Sequence, residues 1–156
     1  MQVEALDSHA AELAVRKMEH EMHAAQATAM RRAREEAVAV RISGATGRYA
    51  GWVNGLFELT GESSNGPVWK MRGAGWYLYR THNGEWFVGD AEDKDAQEAI
   101  GFAHSEELGP GSLPTDACSE WKVWCGGEWG TQALQVCCSF LGLVGVCMAV
   151  WCRSRH

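Results

Sequence analysis

The sequence predicts a mainly β protein, in which a small antiparallel meander or barrel-like domain follows a long N-terminal helix and precedes an apolar C-terminal segment. Three observations predict this fold class: an N-terminal stretch without glycine or proline, the placement of every glycine after residue 41, and a hairpin pattern that occurs twice. We therefore divide the chain into a helical arm (1–40), a tryptophan-rich antiparallel β domain (41–133) and an apolar C-terminal segment with a basic end (134–156).

The helical arm is predicted from about Leu6 to Val40, where Ala, Glu, Met and Arg predominate and favour a helix. Its least polar positions recur every three or four residues and form one narrow stripe, made of Ala10, Ala14, Met18, Met22, Ala25, Ala29, Ala33, Ala37 and Val40. Because this stripe is mostly alanine, an isolated helix would bury little apolar area. We expect it to pack against its own domain, a protein partner or a second copy of the chain, with a solvated arm as the alternative.

Short runs of alternating aromatic and aliphatic residues, separated by glycine turns, predict the strands of the β domain. These are Tyr49–Val53, Leu56–Thr60, Val68–Arg72, Trp76–Arg80, Glu85–Val88, Trp121–Cys125 and a last strand near Leu134–Val136. Two of the predicted hairpins share a pattern in which a strand starting with tryptophan is followed by Gly-Glu-Trp. The two turns differ in length, so we do not expect them to be equivalent.

One segment, residues 90–105, interrupts the meander. Its acidic start and the alanines that follow at helical spacing predict a short helix or turn, before a Gly-Pro-rich loop at 109–114. The carboxylates could bind calcium, but the glycine and closing glutamate of a calcium loop are missing. Capping of a helix N-terminus explains them better; the residues concerned are Asp90, Glu92, Asp93 and Asp95.

Histidine and cysteine give no metal site either. His20 and His23 lie three residues apart on the helical arm, but two ligands do not make a site. Cys118 and Cys125 lack zinc-ligand spacing, and a disulfide between them is the alternative to two free thiols. We expect the other four cysteines (Cys137, Cys138, Cys147 and Cys152) to be buried thiols in the apolar segment. The sequence therefore predicts no metal and no cofactor.

The C-terminal segment carries no charge from Leu134 to Cys152 and ends in Arg153-Ser154-Arg155-His156. It is just long enough for a membrane span, which takes about 20 residues, and Trp151 suits an interfacial position. The first residues lack the basic and apolar stretches typical of a secretory signal. We therefore expect a cytosolic, reduced protein that a C-terminal anchor holds at a membrane. Packing in the core or at an oligomer interface, and a truncated chain end, are the alternatives.

Charge and motifs limit the function. Acidic residues outnumber basic ones in the β domain, which disfavours nucleic acid as a partner. No serine or cysteine has the family spacing of a catalytic nucleophile, so we expect no enzyme. Eight tryptophans are many for this length, and we expect most to pack the core and a subset to bind a ligand. The candidates for that binding face are Trp76, Trp86, Trp121 and Trp129.

The leading hypothesis is a non-enzymatic binding module that associates with a protein partner, or with itself, through the N-terminal helix. A first alternative is a carbohydrate-binding or small hydrolytic domain, in which tryptophans stack on a glycan and Glu85 and Glu128 act on it. A second is a small accessory subunit of a membrane assembly, held by the helix and the C-terminal segment.

The order of these motifs resembles a tryptophan-rich β-repeat that occurs in large algal and other protist proteins, often in tandem or beside signalling domains. The resemblance covers about residues 42–136. It implies a β fold and assigns no catalytic residue. The chain departs from the repeat at Cys125, where an acidic turn residue is expected, and in its apolar tail. The motifs that carry the resemblance are Ile42–Gly47, Val53–Glu62, Asn65–Trp69, Trp76–Tyr79, Trp86 and Trp121–Trp129.

Overall fold

Nine antiparallel strands form one curled sheet behind a long N-terminal helix. The computed structural model describes residues 3–117 and 120–139. The elements are α1 (Val3–Glu36), β1 (Ala39–Ser43), α2 (Ala50–Val53), β2 (Gly55–Ser63), β3 (Gly66–Met71), β4 (Tyr77–Arg80), β5 (Glu85–Gly89), α3 (Ala91–Ala96), β6 (Ala103–Glu107), a 3-10 turn (Pro114–Asp116), β7 (Trp121–Trp124), β8 (Trp129–Gln132) and β9 (Gln135–Ser139). The predicted fold class, mainly β with a long N-terminal helix, is confirmed.

The sheet curls until its two edges are joined by a single bent segment of chain. Its strand order is β8-β7-β6-β5-β4-β3-β2-β1-β9, so β8 and β9 lie at opposite edges although only residues 133 and 134 separate them. β8 runs antiparallel to β7 and β9 runs antiparallel to β1, and β1 and β7 share one direction because the strands from β1 to β8 alternate along the sheet. Residues 129–139 therefore pair first with β7 and then with β1. The Gln132 side chain strengthens the junction, since its Oε1 accepts from Thr46 N–H at 2.8 Å and its Nε2 donates to Thr46 O at 3.1 Å.

The core lies on the inner face of this curl. Side chains alternate across each strand, so every second residue points inward. The buried inner set consists of Val40, Ile42, Phe57, Trp69, Met71, Leu78, Trp86, Val88, Ala103, Trp121 and Val123. Three of these residues are tryptophans, so indole rings fill much of the interior.

Only the last turns of α1 pack against the sheet. Ala29, Met30, Ala33 and Ala37 are buried there, and Trp69 Nε1–H donates to Ala37 O at 2.7 Å. The earlier apolar residues Leu13, Val15, Met18 and Met22 are exposed. The helix thus packs against its own domain at one end and projects into solvent at the other.

Both predicted hairpins form, as β4–β5 and β7–β8. In the first, Thr81 N–H donates to Glu85 O, and Gly84 has a φ of 85° within the three residues enclosed. In the second, Cys125 N–H donates to Glu128 O around Gly126-Gly127, and Gly126 has a φ of 92°. Positive φ favours glycine at both positions. The turns differ in length, as predicted.

Some predicted elements are wrong. The helix of residues 6–40 ends at Glu36, because Ala39–Ser43 forms β1 between β2 and β9. The strand predicted at Tyr49–Val53 is instead α2, since a helical turn directs Tyr49 and Trp52 toward Phe102. Strand β6 was not predicted. The acidic segment does form a short helix, α3, and the Asp90 side chain caps it by accepting from Asp93 N–H at 2.9 Å.

The sheet also takes in the start of the predicted C-terminal segment. Gln135–Ser139 is β9, so the boundary proposed at residue 133 falls before the last strand. The remainder of that segment, residues 140–156, lies outside the described residues. Within the described ranges, no helix combines the length and hydrophobicity that crossing a bilayer requires.

One cysteine prediction is wrong: Cys137 is disulfide-bonded rather than the free buried thiol expected. Cys125 carries a free thiol, which excludes the alternative of a disulfide with Cys118, a residue outside the described ranges. Cys138 is a free thiol, as expected.

Candidate functional site

The four tryptophans predicted to bind a ligand do not form one face. Trp86 and Trp121 point to the inner side of the sheet with 0% of their surface exposed, so their rings pack the core and do not reach a surface ligand. Trp76 and Trp129 are half-buried and lie in two different aromatic clusters. The doubled hairpin pattern therefore places equivalent tryptophans in different surroundings.

The first cluster, here called the Trp52 cluster, consists of Tyr49, Trp52, Trp76 and Phe102. It lies at the end of the curled sheet where the chain passes from β1 to β2, from β3 to β4 and from β5 to β6. The ring centroid of Trp52 is 4.8 Å from that of Tyr49, 5.0 Å from that of Trp76 and 4.7 Å from that of Phe102. These separations are typical of favourable aromatic contacts.

Within this cluster, the inner rings are fixed while Trp52 is open to solvent. Trp76 and Phe102 pack against the core, and their centroids are 5.1 Å apart in an edge-to-face arrangement. Trp52 is 38% exposed. The Arg48 Cζ atom lies 5.4 Å from the Tyr49 centroid, within range of a cation–π contact. The result is a partly exposed aromatic surface with a cation at its margin.

The second cluster, here called the Trp129 cluster, lies on the outer face of the sheet and consists of Phe87, His104, Trp124 and Trp129. His104 stacks on Phe87 with centroids 4.7 Å apart and planes 13° apart. Trp129 meets the His104 ring edge-on at 4.7 Å and the Trp124 ring at 5.3 Å. Trp124 and Trp129 face each other across the β7–β8 hairpin, so this cluster is a set of cross-strand pairs.

Both carboxylates of the hydrolase alternative lie near Trp129. His104 Nδ1 is 2.9 Å from Ser105 O and 3.2 Å from Glu85 Oε2. Because a carbonyl and a carboxylate both accept, Nδ1 carries the hydrogen in this arrangement. Glu128 is exposed in the turn that precedes Trp129. The surface thus offers an indole ring beside hydrogen-bond acceptors, a combination suited to polar ligands with flat apolar faces.

Sequence reasoning missed most of the Trp52 cluster. Tyr49, Trp52 and Phe102 were not candidates, because Phe102 lies 50 residues from Trp52 along the chain and meets it only through the tertiary fold. One signal was present. Tyr49 and Trp52 are three residues apart between glycines, which would place them on one face of a short helix.

Neither a search for metal ligands among the described residues nor comparison with known proteins assigns a function to the chain. Among the described residues, no three His, Cys, Asp or Glu side chains come together as metal ligands would, and His20 and His23 are exposed on α1. Comparison of the chain with protein-family models, with curated proteins and with solved structures gave no match. The resemblance to the tryptophan-rich β-repeat therefore stays a prediction.

Proposed function

We propose that the chain is a non-enzymatic binding module that engages a protein partner through the Trp52 cluster. The observation that carries this proposal is the position of Trp52, which is 38% exposed and held between the rings of Tyr49, Trp76 and Phe102. Tryptophan is enriched among the residues that dominate binding energy at protein interfaces.

The surroundings of Trp52 favour binding for two reasons. Its ring is already restrained by its neighbours, so little side-chain entropy is lost when a partner covers it. Arg48 stands at the margin of the cluster, and arginine is a frequent residue of interfaces because it can stack and donate several hydrogen bonds. An apolar partner surface with an acidic rim would match this arrangement.

The exposed half of α1 provides a second contact in this proposal. Met18 and Met22 are 62% and 54% exposed and lie on the stripe whose later members are buried against the sheet. Methionine adapts its shape to different partner surfaces. A second copy of the chain is one such partner, and sedimentation velocity at several concentrations distinguishes self-association from binding to another protein.

A paired substitution tests the Trp52 cluster. Cross-linked partners of the full chain are identified by mass spectrometry, and the affinity of each is then measured with purified protein. Trp52→Ala is expected to lower the affinity for a true partner at least about tenfold, the usual loss at an interface hot spot. Trp124→Ala is the matched control, since it removes a half-buried tryptophan from the other cluster. Equal affinity of Trp52→Ala and the unmodified chain for every partner would exclude the proposal.

A second candidate function is carbohydrate binding at the Trp129 cluster. The observation in its favour is the Glu85 carboxylate, whose Oε2 lies 3.2 Å from His104 Nδ1 beside the half-exposed Trp129 ring. Sugar rings stack on indoles and donate hydroxyl hydrogens to carboxylates. A glycan array probed with the full chain and with Trp129→Ala tests it, and silence of the unmodified chain ends it. Its hydrolytic version requires turnover of aryl glycosides that is lost in Glu85→Gln or Glu128→Gln.

A further inference from the structure

A groove distinct from both aromatic clusters lies where α1 passes over the opposite end of the sheet. Its volume is about 440 Å³, within the range of small-molecule sites. Its apolar lining includes Met22, Ala25, Ala29, Leu108 and Pro110. Its polar lining includes Arg80, Glu107 and Ser112.

Arg80 enters this groove without a carboxylate contact within 4 Å among the described residues. Its Nη2 donates to Leu108 O at 2.9 Å, while its buried Nε has no hydrogen-bond partner. The Ser112 Oγ is also buried and unpartnered. Burial lowers the pKa of Arg80 and the nearby Glu107 carboxylate opposes that effect, yet a guanidinium keeps its charge at neutral pH. The Arg80 guanidinium lines the groove, so its charge favours a ligand that carries anionic oxygen acceptors.

A positive and a negative side chain converge at the floor of the groove. A methyl group built on Gly84 would lie 3.0 Å from Arg80 Nη2 and 3.3 Å from Glu107 Cγ. Leu108 O would also lie 3.0 Å from that methyl group, so these atoms close over the glycine, whose φ of 85° suits the turn. The Arg80 and Glu107 side chains thus approach each other beside Gly84, and a ligand in the groove that both of them line would meet opposite charges close together.

We propose that this groove binds a free amino acid with an apolar side chain. The carboxylate of the ligand accepts from the Arg80 guanidinium. The ammonium group pairs with Glu107, and the apolar side chain lies against Met22, Ala25 and Leu108. This proposal is independent of the Trp52 cluster, and the failure of either leaves the other standing.

Titration calorimetry with three probes tests the proposal on the full chain. L-leucine carries both charges, N-acetyl-L-leucine lacks the ammonium group, and L-leucinamide lacks the carboxylate. We expect L-leucine to bind at least about tenfold more tightly than either analogue, because each analogue leaves one charged side chain unpaired. Absence of leucine binding at millimolar concentration, or equal affinity for all three probes, would overturn the proposal.

Variants assign the two contacts separately. Glu107→Gln is expected to lower the affinity for L-leucine about tenfold and to leave the affinity for N-acetyl-L-leucine unchanged. Arg80→Met is expected to abolish binding of both, whereas Arg72→Met, at an exposed arginine paired with Glu58, is the matched control and leaves affinity unchanged. Should Arg80→Met fail to fold, Ala25→Phe fills the groove from the helix side without removing a charge and is expected to block L-leucine. Unchanged leucine affinity in Ala25→Phe or in folded Arg80→Met would place any leucine binding elsewhere.

Discussion

At the scale of single residues, the three fully buried tryptophans differ in whether the indole N–H has a partner. Trp69 Nε1–H donates to Ala37 O at 2.7 Å and so ties the end of α1 to β3. The Nε1 atoms of Trp86 and Trp121 are buried with no hydrogen-bond partner. Burying an unpaired donor is unfavourable, so these two rings stabilise the core through apolar contact alone.

Replacing each tryptophan with phenylalanine separates the hydrogen bond from the ring volume. Both Trp69→Phe and Trp86→Phe shrink a buried ring, but only Trp69→Phe takes a donor away from a buried carbonyl. We expect Trp69→Phe to lower the free energy of unfolding by about 1–2 kcal/mol more than Trp86→Phe does. Urea unfolding followed by circular dichroism measures the difference, and Trp121→Phe should behave like Trp86→Phe. A larger loss in Trp86→Phe than in Trp69→Phe would contradict this account.

Asp116 links α1 to the 3-10 turn and predicts a pH dependence. Its oxygens accept from Arg32 at 2.7 and 2.9 Å and from Leu113 N–H at 2.9 Å. Burial alone would raise the pKa of Asp116, but these hydrogen bonds outweigh burial and hold the pKa below its usual value. Because the folded pKa is depressed, the resulting stability is present above the unfolded pKa of about 3.9 and is lost as the pH falls through the folded pKa.

We therefore expect Asp116→Asn to lower the free energy of unfolding by about 0.5–1 kcal/mol at pH 7, a modest amount because the pair is partly solvated. Urea unfolding at several pH values measures this effect, which should disappear in strong acid. Glu58→Gln is the control, since the Glu58–Arg72 pair is exposed and its loss should change stability less. A deficit in Asp116→Asn that stays constant down to pH 2 would show that the carboxylate charge is not responsible.

At the scale of elements, α1 is one helix with two different roles. Ala14 and Ala33 lie on the same apolar stripe, but Ala14 is exposed and Ala33 is completely buried against the sheet. Ala33→Asp would place a carboxylate in the core, so we expect a loss of at least about 3 kcal/mol of unfolding free energy. Ala14→Asp changes the intrinsic helix propensity in the same way and should cost no more than about 0.7 kcal/mol. Thermal and urea unfolding compare them, and equal losses would mean that the stripe is buried along its whole length.

Sequence patterns predicted elements whose signals are local and missed those set by distant partners. The β4–β5 and β7–β8 hairpins were predictable because their turn glycines and alternating strands lie within a few residues of one another. Strand β6, Ala103–Glu107, was missed because its sequence is largely polar and pairing with β5 and β7 holds it in the sheet. The same limit applies to the candidate site, since Trp52 meets Trp76 and Phe102 only after the curled sheet has formed.

At the scale of the whole molecule, the sheet depends on contacts between distant parts of the chain. Arg41 of β1 and Cys137 of β9 are 96 residues apart in sequence and adjacent in the sheet. Such pairings close large loops, which costs conformational entropy that the contacts of the finished sheet must offset. Since β9 lies within the apolar C-terminal segment, that segment completes the domain as well as leading into residues 140–156.

Two truncated chains separate these contributions of the C-terminal segment. A chain ending at Ser139 retains β9, whereas one ending at Ala133 loses it, leaves the β1 backbone unpaired on one side and uncovers the core packed beneath Val136 and Cys138. With reductant present throughout, we expect the longer truncation product to melt like the full chain and the shorter one to melt several degrees lower, since losing about 1 kcal/mol shifts the midpoint by about 2–4 °C in a domain of this size. Hydrogen exchange should show faster exchange of the β1 amides only in the shorter chain. Fractionation of the full chain against the chain ending at Ser139 then tests membrane anchoring with the folded sheet unchanged. Equal melting and equal β1 protection in both truncated chains would show that β9 does not stabilise the sheet.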